Sequence, residues 1–121
     1  MFTISVETHF RASHQLTLPD GSKEQLHDHD WVVNAAVSSD KLDEMGVVMD
    51  FHVLKAKLRQ ITDELDSTVL GDLKCFRQNN PSAENVAKHV YRLLLSRLPN
   101  GVKLRSIKVV EEPGCVAEFD E

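Results

Sequence analysis

The stretch "LHDHDWVVNAAVSS", residues 26–39, decides how the rest of the chain is read. Trp31, Val33, Ala35 and Val37 fall two apart, which is the period of a half-buried strand. Extended toward the N-terminus, the same alternation sends His27 and His29 to one side, because residues two apart in a strand share a face. Two imidazoles aimed into one space are what two ligands of a single ion require. Asp28 and Asp30 take the opposite side, which excludes them as ligands and leaves them as supporting or surface groups.

A third ligand is needed, and His14 is the best candidate. The segment "FTISVETHF", residues 2–10, alternates with Phe2, Ile4, Val6, Thr8 and Phe10 on one face and Thr3, Ser5, Glu7 and His9 on the other. If this strand pairs with the second as a hairpin, His14 at its end lies beside His27 and His29. Three neutral imidazoles leave one tetrahedral position open, the pattern of a catalytic zinc, although the same set also suits iron, nickel or copper. The competing reading is a solvated histidine pair on an unrelated sheet. His9 follows the outer face, and His52 and His89 fall on helices, where solvation or partial packing accounts for them.

Working outward, "LPDGS" supplies a turn, and "KLDEMG" breaks the strand pattern at Gly46. From Asp50, a plausible N-cap, the period becomes helical through Leu54, Leu58, Ile61 and Leu65. "STVLGDLKCFRQN" is irregular, with a tight turn expected at Gly71. A second helix starts with Asn80 as cap and Pro81 at the first helical position, and carries Val86, Val90, Leu93, Leu94 and Leu98 inward. "VKLRSIKVVEE" and "CVAEF" read as two strands joined at Pro113-Gly114. The expected fold is α+β: a four-stranded antiparallel sheet in the order strand, strand, helix, helix, strand, strand, with both helices on one face. Such a sheet leaves edges and one face open, so association into a ring or barrel is expected.

Composition narrows the function. At 121 residues the chain fits one domain, and a net charge of −5 argues against a dedicated nucleic-acid binder. No apolar stretch approaches the roughly 20 residues that cross a bilayer. The N-terminal residues lack the layout of a secretory signal. Cys75 and Cys115 lie far apart without metal or disulfide spacing, so a cytoplasmic protein with reduced thiols is the expectation.

Several segments together resemble the 6-pyruvoyltetrahydropterin synthase and 6-carboxytetrahydropterin synthase family. "FRASH" is similar to its Phe-x-Ala-x-His motif, and "LHDHDW" to its Leu-His-Gly-His-x-aromatic segment. "MGVVMDFHVLK", "NNPSAENVAKHVY" and "VVEEPGCVAEF" resemble its turn into the first helix, the start of its second helix and its closing strands. The likeness spans nearly the whole chain, residues 1–121 as one such domain. It implies the T-fold, homo-oligomeric barrels (trimers or hexamers) with active sites between subunits, and a pterin substrate. It also implies Zn2+ on His14, His27 and His29, and Glu111 as the carboxylate that holds the pterin ring. A carboxylate can accept two parallel N–H bonds from a pterin, but adjacent Glu112 alternates to the other face, so the assignment could slip by one.

Three positions depart from the family pattern. The usual catalytic cysteine ahead of the histidine pair is absent, and Glu24, two residues short of adjacency to His27, is the candidate base, as in a minority branch of the family with glutamate there. A plain loop glutamate is the alternative. Asp66 keeps the first place of the family's Asp-His pair, but Ser67 stands where the proton-shuttling histidine belongs, and serine cannot titrate near neutral pH as imidazole does. Asp28 replaces the glycine between the metal histidines. The resemblance implies a zinc-dependent lyase acting on the side chain of 7,8-dihydroneopterin triphosphate or a related dihydropterin, with a 6-carboxy-, 6-pyruvoyl- or 6-hydroxymethyl-pterin product. The alternative is a pterin- and metal-binding homologue with little turnover.

Overall fold

The computed structural model describes residues 1–121. Two 13-residue strands, β1 (Phe2–His14) and β2 (His27–Ser39), pair antiparallel through their full length, from Phe2 opposite Ser39 to His14 opposite His27. Their alternation is that read from the sequence. Val6, Thr8, Phe10, Ala12 and His14 are buried on β1, and Trp31, Val33, Ala35 and Val37 on β2. Each strand has one face turned to the core and the other to solvent.

Helix α1 (Phe51–Asp63) begins where Asp50 accepts a hydrogen bond from the His52 N–H, as expected of an N-cap. It buries Leu54, Leu58, Ile61 and Thr62. Helix α2 (Ala83–Leu95) packs on strands β4 (Lys103–Glu112) and β5 (Cys115–Phe119) through Val86, Ala87, Val90, Tyr91 and Leu94. The β4–β5 turn is Pro113-Gly114, with Gly114 at φ 88°, a conformation open to glycine. Both helices cover one face of the sheet. Twenty-three buried apolar residues form a single core between the layers.

Two expectations are corrected. The sheet has five strands in the order β3-β1-β2-β4-β5 and is mixed, because β3 (Thr68–Val69) runs parallel to β1 at Ala12 and Ser13. Two residues are too few for a period to register, and β3 is held by its neighbours: the Ser67 N–H donates to the Arg11 carbonyl, and Asp66 accepts from the Arg11 N–H at 2.8 Å. The rest of that irregular segment forms two short 3-10 turns, Leu70–Asp72 and Lys74–Phe76.

The second helix starts later than its sequence suggests. Ser82, not Asn80, is the cap, accepting from the Asn85 N–H at 3.1 Å. Asn80 is taken by a tertiary contact instead: its amide bridges both backbone groups of Thr17, at 2.7 and 3.1 Å. Pro81 therefore lies outside the helix, and its buried carbonyl is free for another partner.

Candidate metal and active site

The core face of the sheet continues, past the last apolar residue of each strand, into polar groups at one end. On β1 the sequence Phe10, Ala12, His14 runs outward, and on β2 the sequence Trp31, His29, His27. On β4, Val109 is followed by Glu111 at an irregularity in the pairing, since Val110 faces Val116 but Glu112 faces Cys115. A bulge at this position re-aims the side chain it contains. One ligand atom from each of His14, His27, His29 and Glu111 lies within 4.8 Å of every other. The structure thus brings together all three sequence-predicted ligands and the predicted ring-holding carboxylate. Glu112 is exposed, with its Oε1 3.7 Å from the Cys115 Sγ, so the one-residue ambiguity falls in favour of Glu111 as the member of the cluster.

The rings are fixed by groups that sequence motifs do not advertise. His14 is only 2% exposed, and its Nδ1 sits 2.8 Å from the Pro81 carbonyl. A carbonyl only accepts, so Nδ1 carries the proton and Nε2 presents its lone pair. His27 is held likewise, its Nδ1 2.8 Å from the Gln25 carbonyl. Trp31 braces the group from below, edge-on to His14 at 4.9 Å and to His29 at 5.6 Å between centroids, with its indole N–H donating to the Ala12 carbonyl. The "NNPS" segment signalled a helix start; its second use, a carbonyl for His14, depends on the chain fold.

A cation fits this arrangement. The buried Nε2 atoms of His14 and His29 have no hydrogen-bond partner. Glu111 Oε1 stands 2.9 Å from the His14 nitrogen without hydrogen-bond geometry, and 3.7 Å from that of His29, too far for a hydrogen bond. With the His14 proton on Nδ1, its Nε2 lone pair faces the Glu111 carboxylate, which is unfavourable in a half-buried site until a positive charge lies between them. Three imidazoles and a carboxylate are a ligand set for zinc.

Asp28 and Asp30 point away, as the alternation requires. Arg11 on the outer face meets Asp30 at 2.8 Å and Asp28 at 3.5 Å, and the Ser13 hydroxyl donates to Asp28. The Ser13 hydrogen bond, followed by Arg11, holds the Asp28 carboxyl below its usual range. The two aspartates therefore fasten β2 to β1 behind the histidines. Glu24 lies outside the cluster, in the β1–β2 connection. Its Oε1 accepts from the Leu16 N–H at 3.0 Å, and the backbones of the same two residues are hydrogen-bonded. Asp66 also lies outside it, on the β1 edge, and Ser67 adopts φ 59°, a conformation uncommon for any residue but glycine. Neither cysteine approaches the role of a base: both are exposed, and desolvation raises both thiols, with Glu112 adding to the effect on Cys115.

Fold and site together define a small α+β protein whose sheet carries a three-histidine, one-carboxylate centre at one end. Residues 3–121 match the family model described as 6-pyruvoyl tetrahydropterin synthase, and the chain belongs to that family. Among proteins of known sequence, it is 34% identical to a 6-carboxy-5,6,7,8-tetrahydropterin synthase from a Synechocystis species, over 98% of this chain and 93% of that one. It is 32% identical to the Bacillus subtilis protein of the same name, over 98% of this chain and 77% of the other. The fold matches that of Caenorhabditis elegans 6-pyruvoyl tetrahydropterin synthase with a TM-score of 0.87 at 22% identity, covering 99% and 95% of the two chains. A Plasmodium vivax 6-pyruvoyltetrahydropterin synthase matches with a TM-score of 0.80 at 18% identity, covering 98% and 96%. No helix is long and apolar enough to cross a membrane.

Proposed function

We propose that the chain is a zinc-dependent lyase of the 6-carboxytetrahydropterin synthase type, which shortens the side chain of 7,8-dihydroneopterin triphosphate or a close dihydropterin relative. The observation that carries this reading is the convergence of His14, His27, His29 and Glu111 with two imidazole nitrogens left buried and unpartnered. The names of the relatives support the 6-carboxy product over its alternatives.

His14, His27 and His29 would hold the ion, which supplies Lewis acidity toward the hydroxyl oxygens of the substrate side chain. Carbonyls of Pro81 and Gln25 keep the first two rings in the tautomer that binds a metal. Glu111 orients the pterin by accepting its 2-amino and ring N–H groups. Glu24 accepts the proton of a side-chain hydroxyl: the Leu16 N–H holds Oε1 and leaves Oε2 for the transfer. Once the C1′ proton has passed to the ring, so that C1′ becomes a ketone as the ring N5=C6 bond is reduced, water adds at C1′. The deprotonated hydrate oxygen can then collapse to the 6-carboxyl as the C1′–C2′ bond breaks and its electron pair expels the triphosphate. A carboxylate suits an acidified O–H better than a C–H proton, which agrees with glutamate standing in the cysteine position. One solved Plasmodium vivax family structure is of a protein altered at a glutamate described as its catalytic residue.

Asp66 enters this scheme from another subunit. It and Ser67 sit at the β1 edge, outside their own chain's cluster, and active sites between subunits are what the family resemblance implies. A homo-oligomer in which the β3 edge meets a neighbour's histidines supplies Asp66 to orient a proton carrier. No imidazole follows it here, so that carrier is water or the substrate's own hydroxyl.

The test is to incubate zinc-loaded protein with 7,8-dihydroneopterin triphosphate and follow products by fluorescence after oxidation. The expected result is a 6-carboxypterin species whose formation stops on chelation and returns with zinc. Pterin binding without any product would instead make the chain a binding homologue, and would overturn the lyase reading.

A further inference from the structure

Glu111 occupies an unusual position for a group whose only task is to hold an organic ring. Its Oε1 faces the metal-binding nitrogens, 2.9 Å from His14 Nε2 and 3.7 Å from His29 Nε2. Glu111 also lines an open cleft of about 310 Å³, formed with it by the start of α2 at Ala83 and Glu84 and by the β4–β5 turn from Gly114. Glu111 thus belongs both to the histidine cluster and to the lining of a hollow at the hairpin. The irregular pairing around residue 111 interrupts the regular β4–β5 ladder at this segment. Its side chain is 27% exposed, enough to leave room for a rotamer change.

We infer that Glu111 is a two-position residue: the fourth protein ligand of the metal at rest, and the acceptor for the substrate's ring N–H groups once substrate enters. This deepens the zinc-lyase reading and rests on it. A tetrahedral ion held by three imidazoles and a carboxylate has no vacant site for a hydroxyl. When a heterocycle presenting two adjacent N–H donors arrives, those donors compete for the carboxylate, Glu111 leaves the ion, and a coordination position opens for the side chain. Only a ligand with the correct hydrogen-bonding edge unlocks the centre. The gate also protects the ion from small oxygen ligands in the resting protein. Because Glu111 cannot serve both partners fully, ring binding and resting metal affinity oppose one another, and each weakens the other by the same factor.

The experiment compares the wild-type chain with Glu111→Gln, and with Glu112→Gln as a neighbouring control, using chelator competition for zinc and the visible spectrum of the cobalt-substituted proteins. The added probe is unsubstituted pterin, which has the ring edge but no side-chain oxygen to bind metal. The expected result is zinc affinity at least about tenfold weaker in Glu111→Gln, with Glu112→Gln unchanged. Pterin should shift the cobalt spectrum of the wild type and leave that of Glu111→Gln unmoved. Equal zinc affinities and identical cobalt spectra in the wild type and Glu111→Gln would overturn the two-position role while leaving the three-histidine centre intact. Failure of the wild-type chain to bind zinc or cobalt at all would overturn the centre and this role with it. Circular dichroism on each variant separates a loss of ligand from a loss of fold.

Discussion

Replacing Glu24 by glutamine removes a proton acceptor but keeps an oxygen for the Leu16 N–H, so the loop should hold its shape. The expected outcome is a fall in kcat of about 10²–10⁴-fold with zinc content unchanged, measured by product fluorescence and metal analysis. Normal turnover would return Glu24 to an ordinary loop residue. Ser67 offers the complementary test. Its φ of 59° lies where histidine is among the better-tolerated non-glycine residues. Ser67→His should therefore fold, and should raise kcat by restoring a titrating group beside Asp66. At this scale the sequence was informative about the histidines, because a period of two suffices to aim His27 and His29 together. It could not choose between Glu111 and Glu112, since a pairing irregularity at that point defeats simple alternation. Nor could it show that Pro81 and Gln25 would supply carbonyls to the rings, because those contacts form only when distant or irregular segments meet.

The elements show the same division. Asp50 could be recognised as a cap because its hydrogen bond is local, two residues along the chain. Asn80 resembled a cap just as well, but the tertiary contact with Thr17 claims its side chain and leaves the task to Ser82. Ser82→Ala should lower stability by about 1 kcal/mol, read as a shift in denaturant midpoint, whereas Asn80→Ala should act instead through the β1–β2 connection that it anchors. Strand β3 escaped notice for want of length. Helix α2 also carries an acid-sensitive group, His89, half-buried against Phe76 with ring centroids 5.6 Å apart. Burial lowers its pKa, with Glu64 partly opposing. The unfolded chain, in which histidine has its usual value near 6.5, therefore binds more protons than the folded one as pH falls, and stability declines below about pH 6.5. His89→Gln should flatten that part of the stability–pH curve in urea titrations of the metal-free protein.

At the scale of the whole molecule, the sheet is unfinished at both edges. β1 is paired on its outer side only at Ala12 and Ser13, and β5 has no strand beyond it. Phe2 on β1 and Val116 on β5 are about half exposed, at 50% and 57%, so apolar side chains as well as open backbone lie near these edges. Assembly by edge pairing between copies would cover them. Sedimentation should give a particle several times the 13.7 kDa of one chain, in a multiple of three subunits; a stable monomer would separate Asp66 from any active site. The need for a partner could be read from strand patterning, whereas its arrangement depends on surfaces that only the folded edge defines. The most direct measurement of the central claim is zinc stoichiometry by equilibrium titration of the metal-free protein. One tightly held zinc per chain is expected, lost when His14, His27 or His29 is replaced by alanine. A wild-type chain that takes up no zinc, or histidine variants that retain it undiminished, would contradict the account.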